Sequence, residues 1–168
     1  MSRRRICILI LCIITIIMMF LVIIIFNENN KRCSYKLDIK SNISDIYGRK
    51  LESYLVTQKG TLLFFFNTDC EFCLDELSFV KNNREELTNK YNIILVSFED
   101  EIKIKKYKEY LLGDSDNRLF FISDPQFNII DKYNVSEFPS TFIFSSDGNE
   151  LYNYRGYDIS TFKKLINL

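Results

Sequence analysis

The chain has 168 residues, with 22 basic and 22 acidic side chains and no histidine. A net charge of zero provides no basic surface, so we expect no nucleic-acid partner. Without histidine, the sequence has no Ser-His-Asp triad, no Cys-His dyad and no histidine-ligated metal site. The hydrophobic fraction of 47% is typical of a chain that folds around a core rather than of a disordered one.

The N-terminal segment is apolar over a length that can cross a membrane. Arg3, Arg4 and Arg5 precede residues 6–26, in which Thr15 is the one conventional polar residue. At about 1.5 Å of rise per residue, a helix over this run spans roughly 31 Å, which matches a hydrocarbon core. A cleaved signal peptide is the alternative, but its apolar part is usually shorter and ends at small residues, which do not follow here.

The positive charge ahead of the apolar run orients the predicted membrane helix. Cytoplasmic ends of such helices carry an excess of Lys and Arg, so residues 1–5 are predicted to be cytoplasmic and the C-terminal part extracytoplasmic. Residues 27–34 are then a polar linker, and residues 35–168 form one domain that is large enough to bury a core. Cys33, in the linker, does not follow the small apolar residues expected of a lipoprotein, and we assign it no role.

Beyond the linker, apolar runs alternate with amphipathic segments, which predicts strands alternating with helices. In chain order, the predicted elements are a strand at 61–67, a helix at 71–90, a strand at 92–98, a helix at 99–112, a strand at 119–123, a short helix from Asp124-Pro125 to 133, a hairpin of strands 141–145 and 151–155, and a helix at 159–168. The pairs Glu99/Lys103 and Glu101/Lys105 indicate a solvated helix face. The order of elements predicts a mixed α/β sheet covered on both faces.

Cys70 and Cys73 carry the chemistry that the sequence predicts. They form a Cys-x-x-Cys pair at the start of the helix that follows the first strand. The free N–H groups and the positive dipole end at such a position stabilise a thiolate, which is the nucleophile in disulfide exchange. We therefore predict that Cys70 attacks a disulfide and that Cys73, one turn further in, resolves the mixed disulfide.

Two other interpretations of the cysteine pair stay open. Half of a zinc site would need two further ligands, and the chain supplies no histidine and one spare cysteine, Cys33, beyond the apolar run. A purely structural disulfide would close a very small loop and restrain little of the chain. We accordingly expect no bound metal and no cofactor.

The segment from Tyr47 to the end resembles the thioredoxin superfamily, specifically the membrane-tethered, extracytoplasmic thiol–disulfide oxidoreductases of the TlpA/ResA type. The resemblance rests on motifs in the family's order: Tyr47-Gly48-Arg49-Lys50, Lys59-Gly60, Cys70-Glu71-Phe72-Cys73, the segment Val135 to Phe144 with Phe138-Pro139, and Asp147-Gly148 followed by Gly156. It implies an α/β fold, a thioredoxin-like three-layer α/β/α arrangement with a central mixed sheet, preceded by one transmembrane helix.

The resemblance also implies roles for individual residues. Pro139 is expected in the cis form beside the cysteine pair, where it shapes the groove that receives a partner's sulfur. Phe138 precedes it and Phe72 adds apolar surface at the mouth, so these three are the predicted substrate-binding residues. Glu76 matches the family's Cys-x-x-Cys-x-x-Glu pattern and is expected to exchange protons with Cys73; an ordinary surface position in a helix is the alternative for it.

The motif departs from the family's usual Trp-Cys-x-Pro-Cys at two positions. Asp69 precedes Cys70, Phe72 precedes Cys73, and the chain has no tryptophan. The Asp69 carboxylate is expected to oppose ionisation of the adjacent thiol, since like charges disfavour each other. The reduction potential and the direction of electron flow therefore stay open.

The predicted function is that of a membrane-anchored, extracytoplasmic enzyme that reduces disulfides in protein substrates. The resemblance implies electrons from a membrane-embedded thiol carrier, and roles in cytochrome c maturation or in maintaining protein disulfides. Two alternatives stay open. One is a thiol peroxidase on a related fold, although the Pro-x-x-x-Thr-x-x-Cys pattern is not found around Thr68. The other is a non-catalytic binding module whose cysteines are structural.

Overall fold

The computed structural model describes residues 12–22, 35–39, 43–113 and 117–166. The chain divides into two compact units, Met1–Ser34 and Tyr35–Leu168. In the first unit, residues 12–22 form helix α1, whose side chains, including Cys12, are exposed. Among the described residues, no helix combines the length and apolar character needed to span a bilayer. The predicted segments 1–5 and 27–34, both ends of the predicted span 6–26, and Cys33 lie outside the described residues.

The second unit is built on a five-stranded mixed sheet. Its strands are β1 (Gly60–Phe65), β2 (Tyr91–Ser97), β3 (Phe120–Ser123), β4 (Ser140–Phe144) and β5 (Glu150–Arg155). Their order across the sheet is β3-β2-β1-β4-β5. Strands β1, β2 and β3 run parallel, whereas β4 is antiparallel to both β1 and β5. Strand β1 is therefore central, and its carboxyl end leads into the cysteine motif.

Helices pack on both faces of this sheet, as the sequence predicts. They are α2 (Leu51–Tyr54), α3 (Glu71–Asn82), α4 (Arg84–Lys90), α5 (Glu101–Leu112), α6 (Asn128–Lys132) and α7 (Ile159–Ile166). Because successive strand residues alternate in direction, Phe64 and Phe65 of β1 enter different cores. Residues of α3, α4, α5 and α7 pack on the Phe64 side, and residues of α2 and α6 pack on the Phe65 side. The predicted mixed α/β sheet with three layers is confirmed.

The segment 71–90, predicted as a single helix, is two helices. Helix α3 ends at Asn82, and α4 begins at Arg84. Between them, the Asn83 side-chain amide donates to the Phe79 carbonyl at 2.8 Å, alongside the Asn83 backbone N–H at 3.1 Å. An asparagine side chain that bonds locally to the backbone in this way competes with helix continuation. The interruption leaves Leu87 of α4 packed in the core.

The prediction that Pro125 is the first residue of a helix is wrong. Pro125 lies in a turn, and α6 begins at Asn128. Asp124 still caps this helix, from four residues before its start. Its carboxylate accepts the backbone N–H groups of Asn128 (2.9 Å), Ile129 (2.8 Å) and Ile130 (3.0 Å). A single side chain thus satisfies three of the free donors at the helix N-terminus.

Candidate active site

The two cysteines lie where β1 gives way to α3. The Phe66 backbone N–H still donates to Val96 on β2, and the next three residues turn the chain. Cys70 is the N-cap of α3, and its Sγ accepts the backbone N–H of Cys73 at 3.1 Å. The sulfur thus takes the place of the oxygen that usually caps a helix, and the donated N–H stabilises negative charge on it. Both cysteines are free thiols; Cys70 is half-buried and Cys73 is buried.

The bond between Phe138 and Pro139 is cis, as the resemblance implies. Pro139 immediately precedes β4, whose first residue, Ser140, pairs with Phe65 at the end of β1. This register brings the proline segment to the cysteine motif. The Cys70 Sγ lies 3.9 Å from the Phe138 carbonyl oxygen, within reach of a weak S–H···O hydrogen bond. The structure therefore places Cys70 and Pro139 together although they are far apart in sequence.

Glu76 lies inside the protein, on the buried face of α3 with Cys73, Leu77 and Val80. Its exposed fraction is 0%, and neither carboxylate oxygen has a hydrogen-bond partner within the part of the chain that the structure describes. Burial raises the pKa of Glu76 to about 8, and the negative charges of Asp75 and Asp158 act in the same direction, whereas the polar backbone of Asp158 near the carboxyl opposes this rise. The surface alternative for Glu76 is excluded by this position.

Cys73 shares the buried environment of Glu76. Burial is the main cause that raises the pKa of Cys73, and the contact with Cys70 and the charge of Glu76 act in the same direction. A thiol in such a place keeps its proton at neutral pH unless a base receives it. The two cysteines therefore differ: Cys70 reaches solvent and receives an N–H, whereas Cys73 is enclosed beside a carboxyl group.

Two groups of stacked aromatic side chains include residues of the cysteine motif and of the cis-proline segment. The Phe72 ring is 56% exposed and stacks on Tyr157, with ring centroids 4.5 Å apart. Phe138, the residue before Pro139, packs against Phe98, which stacks on Phe127. Phe72 and Phe138, the predicted substrate-binding residues, thus both pack in aromatic pairs near the cysteine motif, and their role in binding stays a prediction.

Asp69 is partnered, which its sequence position did not indicate. Its carboxylate is 2.7 Å from the Lys103 Nζ, and that ammonium is 2.6 Å from the Glu99 carboxylate. The assignment of Glu99 to a solvated helix face is wrong, because Glu99 precedes α5 and is 7% exposed. It accepts hydrogen bonds from the backbone N–H and the hydroxyl of Thr68, at 2.9 and 2.6 Å, and from the Ser97 hydroxyl at 3.0 Å.

Tyr107 is a neighbour of the site that the sequence did not single out. Its ring stacks on Phe66, and its hydroxyl is buried without a hydrogen-bond partner among the described residues. Burial raises the pKa of Tyr107, and the charges of Cys73 and Cys70 add to this effect. The signal available in the sequence was helical spacing: Tyr107 lies three residues after Ile104 and four before Leu111, on the face of α5 that packs in the core.

The profile of the thioredoxin-like domain matches residues 47–167. The chain belongs to the thioredoxin-like family. This assignment confirms the family that the motifs indicated, and the match covers the cysteine pair, the cis-proline segment and the closing hairpin.

Among curated proteins, this thioredoxin-like chain is 30% identical over 113 residues to the thiol–disulfide oxidoreductase ResA of Bacillus cereus. The match covers 63% of this chain and 60% of that protein, so the chain spans less than two thirds of the relative's length.

Solved structures share the fold. The exposed lipoprotein thioredoxin Etrx1 of Streptococcus pneumoniae strain TIGR4 superposes with a TM-score of 0.55 at 18% identity, covering 79% of this chain and 99% of that one. A secreted Mycobacterium tuberculosis disulfide oxidoreductase, homologous to E. coli DsbE, gives a TM-score of 0.60 at 14% identity, covering 74% and 92%.

Proposed function

We propose that this thioredoxin-like protein is a thiol–disulfide oxidoreductase that acts through the Cys70–Cys73 couple. The observation that carries the proposal is the unequal placement of the two sulfurs, with Cys70 half-exposed at the N-cap of α3 beside cis-Pro139 and Cys73 buried behind it. The name of the Bacillus cereus relative agrees with this activity.

In the reducing direction, the Cys70 thiolate attacks one sulfur of a substrate disulfide. A Cys70–substrate disulfide forms, and the other substrate sulfur leaves as a thiolate. Cys73 then loses its proton and attacks Cys70 Sγ, which releases the second substrate thiolate and leaves a Cys70–Cys73 disulfide. Two electrons pass to the substrate, and a reducing thiol must then return the enzyme to its dithiol form.

Glu76 receives the Cys73 proton in this scheme. Its buried carboxyl on the Cys73 face of α3, with a pKa of about 8, exchanges protons near neutral pH. Below that value Glu76 is largely protonated and can return a proton to the Cys73 thiolate when the disulfide is reduced. Above it, the carboxylate can accept one. Resolution by Cys73 should therefore speed up as the pH rises towards 8.

Phe72, Phe138 and Pro139 form the proposed substrate surface. Phe72 is exposed, and Phe138 packs on Phe98 beside the cysteine pair. An apolar surface that is not specific for one side chain suits a protein segment containing a disulfide. We propose a protein disulfide as the substrate and reduction as the direction, with maintenance of protein disulfides or cytochrome c maturation as the setting.

We also propose that residues 6–26 anchor the domain in a membrane. The support is the apolar run preceded by Arg3, Arg4 and Arg5, which favours a cytoplasmic position for residues 1–5, a linker at residues 27–34 and an extracytoplasmic domain at residues 35–168. The description of Etrx1 as an exposed lipoprotein is consistent with such a location. A membrane-embedded thiol carrier would then supply electrons. Protease added to intact cells should digest the domain and spare residues 1–5; protection of the domain would contradict this orientation.

Insulin reduction by the full chain, with dithiothreitol as the electron source, tests the activity. Cys70→Ser should abolish turnover, whereas Cys73→Ser, reduced beforehand and then freed of dithiothreitol, should stop after the first step and accumulate a mixed disulfide with insulin at Cys70. Cys12→Ser, outside the pair, is the matched control and should retain full activity. Full turnover by Cys70→Ser would refute the proposal, and consumption of hydrogen peroxide with no insulin reduction would instead favour a peroxidase.

The reduction potential of the couple tests the direction. A value near −270 mV, roughly that of thioredoxin, supports a reductase. A value near −120 mV, roughly that of a strong oxidant, contradicts the reducing direction while leaving the exchange activity intact.

A further inference from the structure

Two carboxylates converge on the Lys103 ammonium beside the reactive cysteine. Asp69, the residue next to Cys70, lies 2.7 Å from Nζ, and Glu99 lies 2.6 Å from it. The Glu99 carboxylate also holds Thr68, two residues before Cys70, through the backbone N–H and the hydroxyl. One cation on α5 is thus tied directly to the loop that presents the nucleophile.

The two carboxylates that pair with Lys103 differ in how firmly they are held. Glu99 is 7% exposed and fixed by Thr68 and Ser97, whereas the Asp69 side chain is 77% exposed. Helix α5 itself is fixed at its start, because the Asp100 carboxylate accepts the Lys103 backbone N–H at 2.9 Å. The backbone of Lys103 is therefore fixed by α5 and its ammonium by Glu99. The Asp69 carboxylate, next to Cys70, is the less constrained member of the Asp69–Lys103 pair.

We propose that Lys103 is a positioning residue for Cys70, which holds the Asp69 carboxylate in an ion pair and offsets its negative charge beside the reactive sulfur. The proposal rests on the role of Cys70 as the nucleophile. Without the ammonium, the Asp69 carboxylate stands uncompensated next to Cys70, and a like charge disfavours the thiolate. Hydrogen bonds with Asp69 and Glu99 raise the pKa of Lys103, so it remains charged throughout the neutral range.

Removing the Lys103 charge is expected to change the reactivity of Cys70 rather than the free energy of unfolding. Both Lys103 and Asp69 are substantially exposed, and exposed ion pairs contribute little to folding. The reaction of Cys70 is more sensitive, because the carboxylate in question belongs to the adjacent residue, Asp69. In a mostly aqueous environment, one uncompensated charge on the residue next to a nucleophilic sulfur is expected to change its reaction rate by about threefold.

The rate at which iodoacetamide alkylates Cys70 in the reduced full chain tests the proposal, with the modified peptide quantified by mass spectrometry. The reaction is run at a pH below the range in which the wild-type rate no longer rises with pH. Lys103→Met should slow alkylation by about threefold, and Lys103→Arg should keep the wild-type rate. The double variant Asp69→Asn/Lys103→Met should recover most of the loss. Lys105→Met is the matched control, since Lys105 pairs with Glu101 on the same helix at 3.6 Å and should leave the rate unchanged.

A wild-type rate in Lys103→Met would overturn the proposal, as would a double variant that stays as slow as Lys103→Met. If Lys103→Met fails to fold, Asp69→Asn alone keeps the test: it should react faster than wild type, and an unchanged rate overturns the proposal. Salt near 0.5 M should shrink the difference between wild type and Lys103→Met, because exposed charges are then largely screened. Alkylation needs no electron transfer, so a chain that fails to reduce insulin still gives a result here.

Discussion

Replacing Glu76 by glutamine is expected to stabilise the protein in a pH-dependent way. Glu76 is fully buried, and burial raises its pKa from 4.5 to about 8. Between these two values the unfolded chain releases a proton that the folded protein retains, so unfolding becomes more favourable as the pH rises. The stability contributed by protonated Glu76 is complete below pH 4.5 and is lost as the pH rises towards 8.

The size of the effect follows from the same shift. Over each pH unit in which the folded protein binds one proton more than the unfolded chain, the free energy of unfolding falls by about 1.4 kcal/mol. Raising the pH from 4.5 to 7 therefore lowers the free energy of unfolding of the wild-type protein by at most about 3 kcal/mol through Glu76. Glutamine has a similar shape and no charge to lose. We therefore compare the free energy of unfolding of Glu76→Gln with that of wild type at each pH. The difference, variant minus wild type, should be about 3 kcal/mol larger at pH 7 than at pH 4.5.

Urea unfolding of both proteins at the two pH values, in the dithiol form, measures this difference. Glu71→Gln is the matched control, because Glu71 lies exposed in the first turn of the same helix. Its effect on stability should be the same at both pH values. A Glu76→Gln effect that is also independent of pH would refute the reasoning, since it would mean that Glu76 is ionised in the folded protein at pH 7.

Three further substitutions test other contacts. Gly60→Ala should lower the free energy of unfolding by about 2 kcal/mol or more, because an added Cβ would lie 2.6 Å from the Phe144 carbonyl oxygen; a thermal melt equal to wild type would contradict this. Asp124→Ala should cost about 2 kcal/mol in urea unfolding through loss of the cap of α6. Phe72→Ala should raise KM for insulin more than it lowers kcat, since it removes apolar surface stacked on Tyr157; an unchanged KM would exclude Phe72 from binding.

Much of the fold could be predicted because its central strands are almost wholly apolar. Residues 62–65 and 93–96 have short, continuous apolar runs, which mark strands buried on both faces. The hairpin followed from Asp147-Gly148, where Gly148 has a positive φ of 79°. The interruption at Asn83 could not be predicted from periodicity, since it depends on a side chain bonding to a backbone carbonyl.

The site was predictable where its residues are local and unpredictable where they are not. The Cys70–Cys73 spacing and the inward position of Glu76 follow from one helix. The salt bridge between Asp69 and Lys103 joins residues from different elements, and the helical spacing of Lys103 to Glu99 suggested an ordinary surface pair instead. Lys103 and Glu99 reach the loop before Cys70 because β2, which pairs with β1, leads directly into α5.

Enclosure of the second thiol limits which molecules can take part in the reaction. With Cys73 fully buried, an external thiol or disulfide that reacts with the cysteine pair must do so at the sulfur of Cys70. Small thiols in the surroundings therefore cannot bypass the larger partner by attacking Cys73 from outside. In the proposed reaction, the intramolecular route for releasing a bound partner therefore belongs to Cys73 alone, whereas an external thiol can compete with it only at the accessible mixed disulfide on Cys70.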